Sequence, residues 1–587
     1  MLKPNPMGGD FTITAKCTGC VNTTNAVIEH VTFGDVWYCA GQSNMWLPLH
    51  YTFHRNYTLA NISQGVYDNI RLQAGDSQSG TFHPWMTAKQ ATVPAPPTAR
   101  SPGPQDPTLF KFSAACWYFA ETLTNELKAS GTGPVVPIGL ISTAIGGSMI
   151  EEWMPNATRE AACKDTSEAA HDQMLWDEKV VPFLNMTLKG FLWYQGENNM
   201  GQLKGNSDIS TGYACEMPTL VKFWREAWSA VPGTTDPMAP FGLVALPGSG
   251  SEGGPNMGAM RIAQTASYGV LPNPKMPNTF LAQAYDLNDP WGNKACYSMK
   301  CCWNNYNMSA CTASLQKQGF PPTACNNYCS ILRGTNVYMG GIHPRSKYPV
   351  GVRLGKAAAV QVYSGKGAMT GATISGCSLP SGSKKLTVSF NKTLLSTDTI
   401  VVQELNVTLS PFMVLTNASL FCVEPVRSCR IPVMPCPRGN MTYTCSDGKV
   451  MPPNTLLSSR VTDGVESFNA AWTEADGEWI QSERVSERLG GVPPPSPFNV
   501  WQRVPVSKGS TADTVEVDLS AINGTVVAIR YGFEGSSCCD GNGITEPCSM
   551  EQCPIMSFPT GFPANPFIAK ITSAGKCQCV APAVCDE

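Results

Sequence analysis

No stretch of this 587-residue chain approaches the run of about 18 apolar residues that crosses a bilayer, so the sequence offers no membrane span. Charge is sparse as well. Asp, Glu, Lys and Arg make up 14% of residues and the formal net charge is −3. Such a balance gives no electrostatic reason to expect nucleic acid or an anionic membrane as partner. The chain contains no H-E-x-x-H pair, no phosphate-binding G-x-x-x-x-G-K-[ST] loop and no G-x-G-x-x-G in strand–turn–helix context. Zinc protease, nucleotide triphosphatase and dinucleotide readings therefore lack a sequence basis. The opening segment "MLKPNPMGGDFTITAKC" has no apolar core of the kind a signal peptide needs.

Cysteine, by contrast, is abundant: there are 24, concentrated late in the chain. The runs Cys296 to Cys329 and Cys538 to Pro554 read as disulfide-stapled loops, which persist in oxidising compartments. A zinc site at Cys17 and Cys20 is the weaker reading, because no second C-x-x-C pair stands at ribbon spacing. Sequons at Asn22, Asn56, Asn61, Asn156, Asn307, Asn406 and Asn523 point the same way. Together these features predict a secreted or lysosomal glycoprotein, with the start of the chain missing from this sequence. An apolar fraction of 42% and a mean hydropathy of −0.12 describe globular material, and the length predicts about two to four domains.

From Val31 onward strands alternate with helices. "VTFGDVWYCA" is β-branched and aromatic, hence a buried strand. Thr92 to Pro107 is too rich in proline for anything but loop. Phe112, Cys116, Phe119, Leu123 and Leu127 recur at helical spacing, and Gly131 closes that helix. "VVPIGLISTAIGG" and "LKGFLWYQGENN" are further strands. Ser148 and Glu151 have the spacing of a capping box. "TLVKFWREAWSAV" reads as helix, "FGLVAL" as strand, "AMRIAQTASYGVL" as helix and "TFLAQAYDLND" as strand. "GGIHPRSKYPVGVRLGKAAAVQVY" begins in a turn and enters a last helix. This rhythm predicts an α/β unit with a mostly parallel sheet covered on both faces. Beyond about residue 370 short strands between turn signals predict a β-rich region. The expected division is a remnant of an N-terminal β-rich region at 1–33, an α/β domain at 34–368 with a cysteine-rich insertion at about 290–335, and a β-rich, disulfide-containing domain at 369–587.

Polar clusters close three of the strands: "GQSN" at 41–44, "IGGS" at 145–148 and "QGENN" at 195–199. A fourth, "GGIHPR" at 340–345, carries a histidine where a helix starts. On one sheet edge, these would supply the parts of an acyl-transfer site. Ser43 would be the nucleophile and His343 its general base. Backbone N–H groups near Ser43 and Gly147, with a side-chain amide from the third cluster, would hold the oxyanion. Each piece has a plainer explanation as a turn residue or strand-end cap; the joint placement, one cluster per strand end, carries the case. Among the six histidines, His30, His50, His54, His83 and His171 lie in strand, loop or polar helix contexts, and His343 alone follows the last parallel strand. A G-x-S-x-G elbow does not fit, since Met45 occupies the second glycine position.

With those residues in place, the chain resembles the sialate O-acetylesterase family within the SGNH hydrolases. The stretches that carry the resemblance are "FGDVWYCAGQSNM", "IGGSMIEEWMP", "FLWYQGENN", "YDLND" and "GGIHPRSKYPVGVRLGKAA", joined by "AIRYGF" and "FPANPFI" near the end. The resemblance implies a three-layer α/β/α, flavodoxin-like esterase domain followed by a β-rich domain. It implies that Ser43 attacks an acetyl ester, that His343 shuttles the proton, and that no cofactor or metal takes part. The implied oxyanion hole is built from Ser43, Gly147 and a side chain of the third cluster, with Gln195 and Asn199 as candidates beside Asn198. The implied partner is an O-acetylated sialic acid. Another acetylated glycan such as xylan, or carbohydrate binding without turnover, stand as alternatives. Many SGNH hydrolases carry an aspartate two or three residues before the histidine; Gly340 and Gly341 occupy those places here. Asp286 and Asp289 are the remaining candidates for an orienting acid. Arg345 is open to two readings, a partner for a substrate carboxylate or part of the helix start.

Overall fold

The computed structural model describes residues 6–17, 26–76, 81–94, 107–131, 135–163, 173–199, 212–247, 257–287, 342–403, 410–416, 443–444, 450–451, 501–533, 538 and 553–581. The cysteine-rich segment at about 290–335, Asp289, Gly340, Gly341 and His171 lie outside them.

An antiparallel pair, β1 (Gly8–Ala15) and β2 (Ala26–Phe33), precedes a seven-stranded sheet. The sheet contains β3 (Asp35–Gly41), β4 (Ile70–Asp76), β5 (Thr81–Thr87), β6 (Ile138–Ser142), β7 (Gly190–Tyr194), β8 (Phe241–Val244) and β9 (Thr279–Ala282). Their order is β5-β4-β6-β3-β7-β8-β9, parallel throughout except for β5 at the edge. The β4–β5 hairpin was not expected from sequence, since Pro84 interrupts "TFHPWMT"; an edge strand tolerates it. The next strands after β3 build outward on one side and later ones on the other. β3 thus sits where the connections change direction, the place at which open α/β sheets leave a crevice beyond the strand ends.

Alternation along β3 explains how both faces are covered. Trp37 packs edge-on to Phe119 of the helix Ala114–Ser130, whereas Tyr38 packs against Trp224 and Trp228 of the helix Gly212–Trp228. Successive side chains of a strand point to opposite faces, so the two helices flank the sheet. Cys39 returns to the face of Trp37 and is bonded to Cys116 on the first helix. That bond closes a loop of 77 residues, worth about 4–5 kcal/mol in a chain-entropy model. Cys163–Cys215, Cys377–Cys577 and Cys538–Cys553 are also disulfides, and Cys17 is itself oxidised.

The end of the first long helix follows expectation, and its start is capped by a serine. Ser113 Oγ accepts from Cys116 N–H at 3.2 Å and Gly131 ends the Ala114–Ser130 helix at φ +60°. The last helix of the α/β region, Tyr348–Tyr363, lies against it. Their approach is close because Gly351 and Gly355 face it; a Cβ on Gly351 would overlap Tyr118 Cβ, and one on Gly355 would lie 2.7 Å from Thr122 Cβ. The helix predicted around "AMRIAQTASYGVL" is shorter than expected, Met257–Ala263, and breaks into turns where Ala266 and Ser267 take positive φ.

After residue 370 the expected short strands form antiparallel sheets. One runs Ile374–Ser378, Lys385–Phe390, Thr514–Asp518, Val506–Lys508; another runs Trp501–Arg503, Phe412–Leu415, Ala528–Tyr531, Phe567–Ile571, Cys577–Ala581. Their core, including Val388, Val515, Ile529 and Phe567, is separate from that of the α/β sheet. The two units join near the end of β9. Tyr285 Oη donates to Ala564 O (2.7 Å), and Arg261 donates to Leu246 O, Pro247 O and Gly532 O. Burial lowers the pKa of Arg261 to about 10, so it remains a cation at neutral pH.

Substituting Gly351→Leu is expected to push the two helices apart and destabilise the chain by about 1–3 kcal/mol or more, read as a lower denaturation midpoint.

Candidate active site

Strand β3 leaves the sheet through Gly41, whose φ of +131° and contact with the Tyr194 carbonyl exclude a side chain. Gln42 N–H still donates to Tyr194 O at 3.0 Å, while Gln42 O accepts from Met45 and Trp46, both at 2.9 Å. The chain is thereby turned into the single-turn helix Ser43–Trp46, with Ser43 as its first residue. The first N–H groups of a helix have no partner one turn back. Ser43 is 5% exposed.

His343 lies in the turn before the helix Tyr348–Tyr363, and its Nε2 is 2.7 Å from Ser43 Oγ across 300 residues of sequence. The turn is fastened to the serine helix. Asn44 Nδ2 donates to Ile342 O at 2.9 Å and to Glu197 Oε1 at 2.5 Å. Lys347 Nζ donates to Asn44 Oδ1 at 2.7 Å and to Pro344 O at 2.6 Å.

The other two clusters meet beside Ser43. Gly147 is exposed in the turn after β6, and its carbonyl accepts from Asn198 Nδ2 at 2.5 Å. Gln42 Oε1 gathers the loop after β7, accepting from Gln195 Nε2, Gly196 N–H and Asn198 N–H at 3.1, 3.3 and 3.2 Å. Gln195 and Asn199, candidates for the oxyanion donor, are placed differently from expectation. Gln195 Nε2 donates to Ser148 O (3.0 Å) and Asn199 Oδ1 (2.6 Å), and Asn199 Nδ2 donates to Glu151 Oε2 (2.7 Å). Both side chains are buried and spent on protein acceptors, because they tie the β7 loop to the segment after Ser148. Asn198 is the exposed amide of the three. Tyr213 Oη donates to Gln195 Oε1 at 2.7 Å, and burial raises its pKa, so the phenol keeps its proton. The capping box also shifts by one residue: Glu152 Oε2 accepts from Met149 N–H at 2.6 Å, and Glu151 serves Asn199.

Asp286 is paired with a buried cation. Its two carboxylate oxygens accept from Arg353 at 2.7 and 2.6 Å, both side chains being about fully buried. The helix that follows His343 brings that guanidinium against the end of β9 and commits the carboxylate. Asp289, the other candidate, lies outside the described residues. Arg345 is 1% exposed, with its guanidinium 4.4 Å above the Phe53 ring. The other histidines stand elsewhere: His30 is exposed beside Asp10, His50 packs on Phe110, and His54 stacks on Tyr348 with Nε2 3.3 Å from Glu121 Oε1. A cleft of about 190 Å³ lined by Lys189, Asp236 and Asn278 opens at the opposite, N-terminal ends of the strands. Gln42, Asn44 and Lys347 were not anticipated as site residues, although each sits inside a motif that was.

Residues 33–289 match the family model described as carbohydrate esterase, sialic acid-specific acetylesterase. Sialate O-acetylesterases from Pongo abelii and Homo sapiens are each 34% identical to it over 310 residues, covering 50% of this chain and 56% of theirs. The chain thus spans little more than half the length of these relatives. The sialate O-acetylesterase of Mus musculus is 26% identical over 616 residues, covering 98% of this chain and 84% of that protein. A carbohydrate acetylesterase from Xanthomonas citri, solved by crystallography, superposes with a TM-score of 0.47 at 17% identity, over 93% of this chain and 82% of that one.

Asp286→Ala is expected to leave the Arg353 cation buried and unpaired and to destabilise the chain by about 3–5 kcal/mol in denaturant titrations. Ester hydrolysis per folded molecule should persist. A loss of turnover without loss of stability would instead return Asp286 to the reacting machinery.

Proposed function

We propose that this chain is a serine esterase that removes O-acetyl groups from sialic acids through an acetyl-enzyme. The observation that carries the reading is the 2.7 Å approach of His343 Nε2 to Ser43 Oγ at the C-terminal edge of the sheet. Neutral His343 takes the hydroxyl proton as Ser43 Oγ attacks the acetyl carbonyl. The resulting oxyanion is held by the backbone N–H groups of Ser43 and Gly147, with the second amide hydrogen of exposed Asn198, whose first is bonded to Gly147 O, as the side-chain donor. Collapse expels the sugar alkoxide, which leaves as the alcohol with the proton from His343. Water then attacks the acetyl-enzyme with His343 again as base, acetate departs, and Ser43 recovers its hydrogen. The match of residues 33–289 to the carbohydrate esterase family model supports a carbohydrate ester as substrate. Disulfides among the described residues and exposed sequon residues Asn56 and Asn523 support secretion or a lysosomal location.

Acetate release from O-acetylated sialosides, compared with acetylated xylan fragments, tests activity and sugar class together. Ser43→Ala is expected to lower kcat by at least about 10⁴-fold with the fold intact. Equal rates for the two proteins would defeat the assignment, and release from xylan alone would move it to another glycan. Because the base must be neutral, kcat/KM should fall with a slope of about one as acid protonates the imidazole. A profile flat from pH 5 to 8 would exclude an imidazole base.

A further inference from the structure

We propose that Lys347 is a positioning residue that fixes the histidine turn in register with the nucleophile. The inference rests on Ser43 and His343 being the reacting pair.

Lys347 is 0% exposed, although an ammonium is costly to bury without well-placed acceptors. Both of its short hydrogen bonds end one residue from a reacting group. Asn44 Oδ1 follows Ser43, and Pro344 O follows His343. The same Asn44 side chain donates from its other end to Ile342 O, the carbonyl before His343. His343 is therefore bracketed. The carbonyl on one side is tied to Asn44 directly, and the carbonyl on the other is tied to it through the ammonium. Two further contacts hold the clamp from below: Glu197 Oε1 accepts from Asn44 Nδ2, and the Tyr194 ring lies 5.6 Å from Lys347 Nζ. Tyr194 and Glu197 belong to β7 and its loop, which also carries Asn198. One lysine thus couples the serine helix and the histidine turn through buried groups beside the reacting pair. A 3 Å proton transfer tolerates little sideways movement, and displacements near 1 Å cost about 10²-fold in rate.

Lys347→Met keeps the aliphatic stem and removes the charge and donors. Its kcat for acetyl ester hydrolysis is expected to fall about 10²-fold, with KM within about threefold of wild type. Labelling of Ser43 by a fluorophosphonate should slow in parallel. Asn44→Ala should behave similarly, and the double variant should lose little more than the worse single one, because both break the same clamp. Lys347→Gln, which restores a donor, should recover part of the rate. Wild-type-like turnover and labelling in Lys347→Met would overturn the positioning role while leaving the esterase reading intact. So would additive losses in the double variant, or failure of both Lys347 variants to fold, since either outcome assigns the lysine to general stability. A wild-type chain that neither hydrolyses acetyl esters nor takes the label at Ser43 would overturn both readings.

Discussion

A hydrogen bond between residues 300 positions apart places a demand on everything between them. Ser43 Oγ and His343 Nε2 stay within reach only if the end of a central strand and the start of a late helix hold fixed positions. Strand β3 is fixed by pairing on both sides, with β6 and with β7, and by aromatic side chains on both faces. The late helix is fixed through its glycine-mediated contact with the helix Ala114–Ser130, which in turn is bonded to β3 through Cys39–Cys116. Ser43 and His343 are thus linked through one packed frame by a short route that the sequence separation conceals.

Polar atoms at the strand ends divide into two kinds. Gln42, Gln195 and Asn199 use their amides on one another and on backbone carbonyls, and they are buried. His343, Gly147 and Asn198 keep surface or half-buried positions at the rim, beside Ser43 at 5% exposure. Buried amides with satisfied bonds make a stiff floor, and a stiff floor lets a few exposed groups hold their aim without reorganising as charge develops.

Much of this architecture was readable before the structure. Apolar runs ending in glycine and small polar residues marked β3, β6 and β7, because a buried parallel strand must end in groups that can turn and find partners. Gly131 and the spacing of Phe112, Cys116 and Phe119 marked the long helix. The β4–β5 hairpin escaped because proline and histidine disguise an edge strand. The site was legible as four clusters, but not its internal wiring. Glutamine, asparagine and serine look alike in a one-dimensional pattern, and only packing decides whether an amide faces a substrate or a neighbour. The pairing of Asp286 was illegible for the same reason: Arg353 lies 67 residues away on a helix that the sequence marks, but no one-dimensional pattern joins the two.

The Cys39–Cys116 bond has a consequence for where such a chain can mature. It joins the strand that delivers Ser43 to the helix against which the His343 helix rests, so oxidation of two thiols closes the frame around both ends of the Ser43–His343 hydrogen bond. A host cytoplasm that keeps glutathione reduced would yield chains with that girder unwelded, whereas passage through an endoplasmic reticulum or periplasm would lock it.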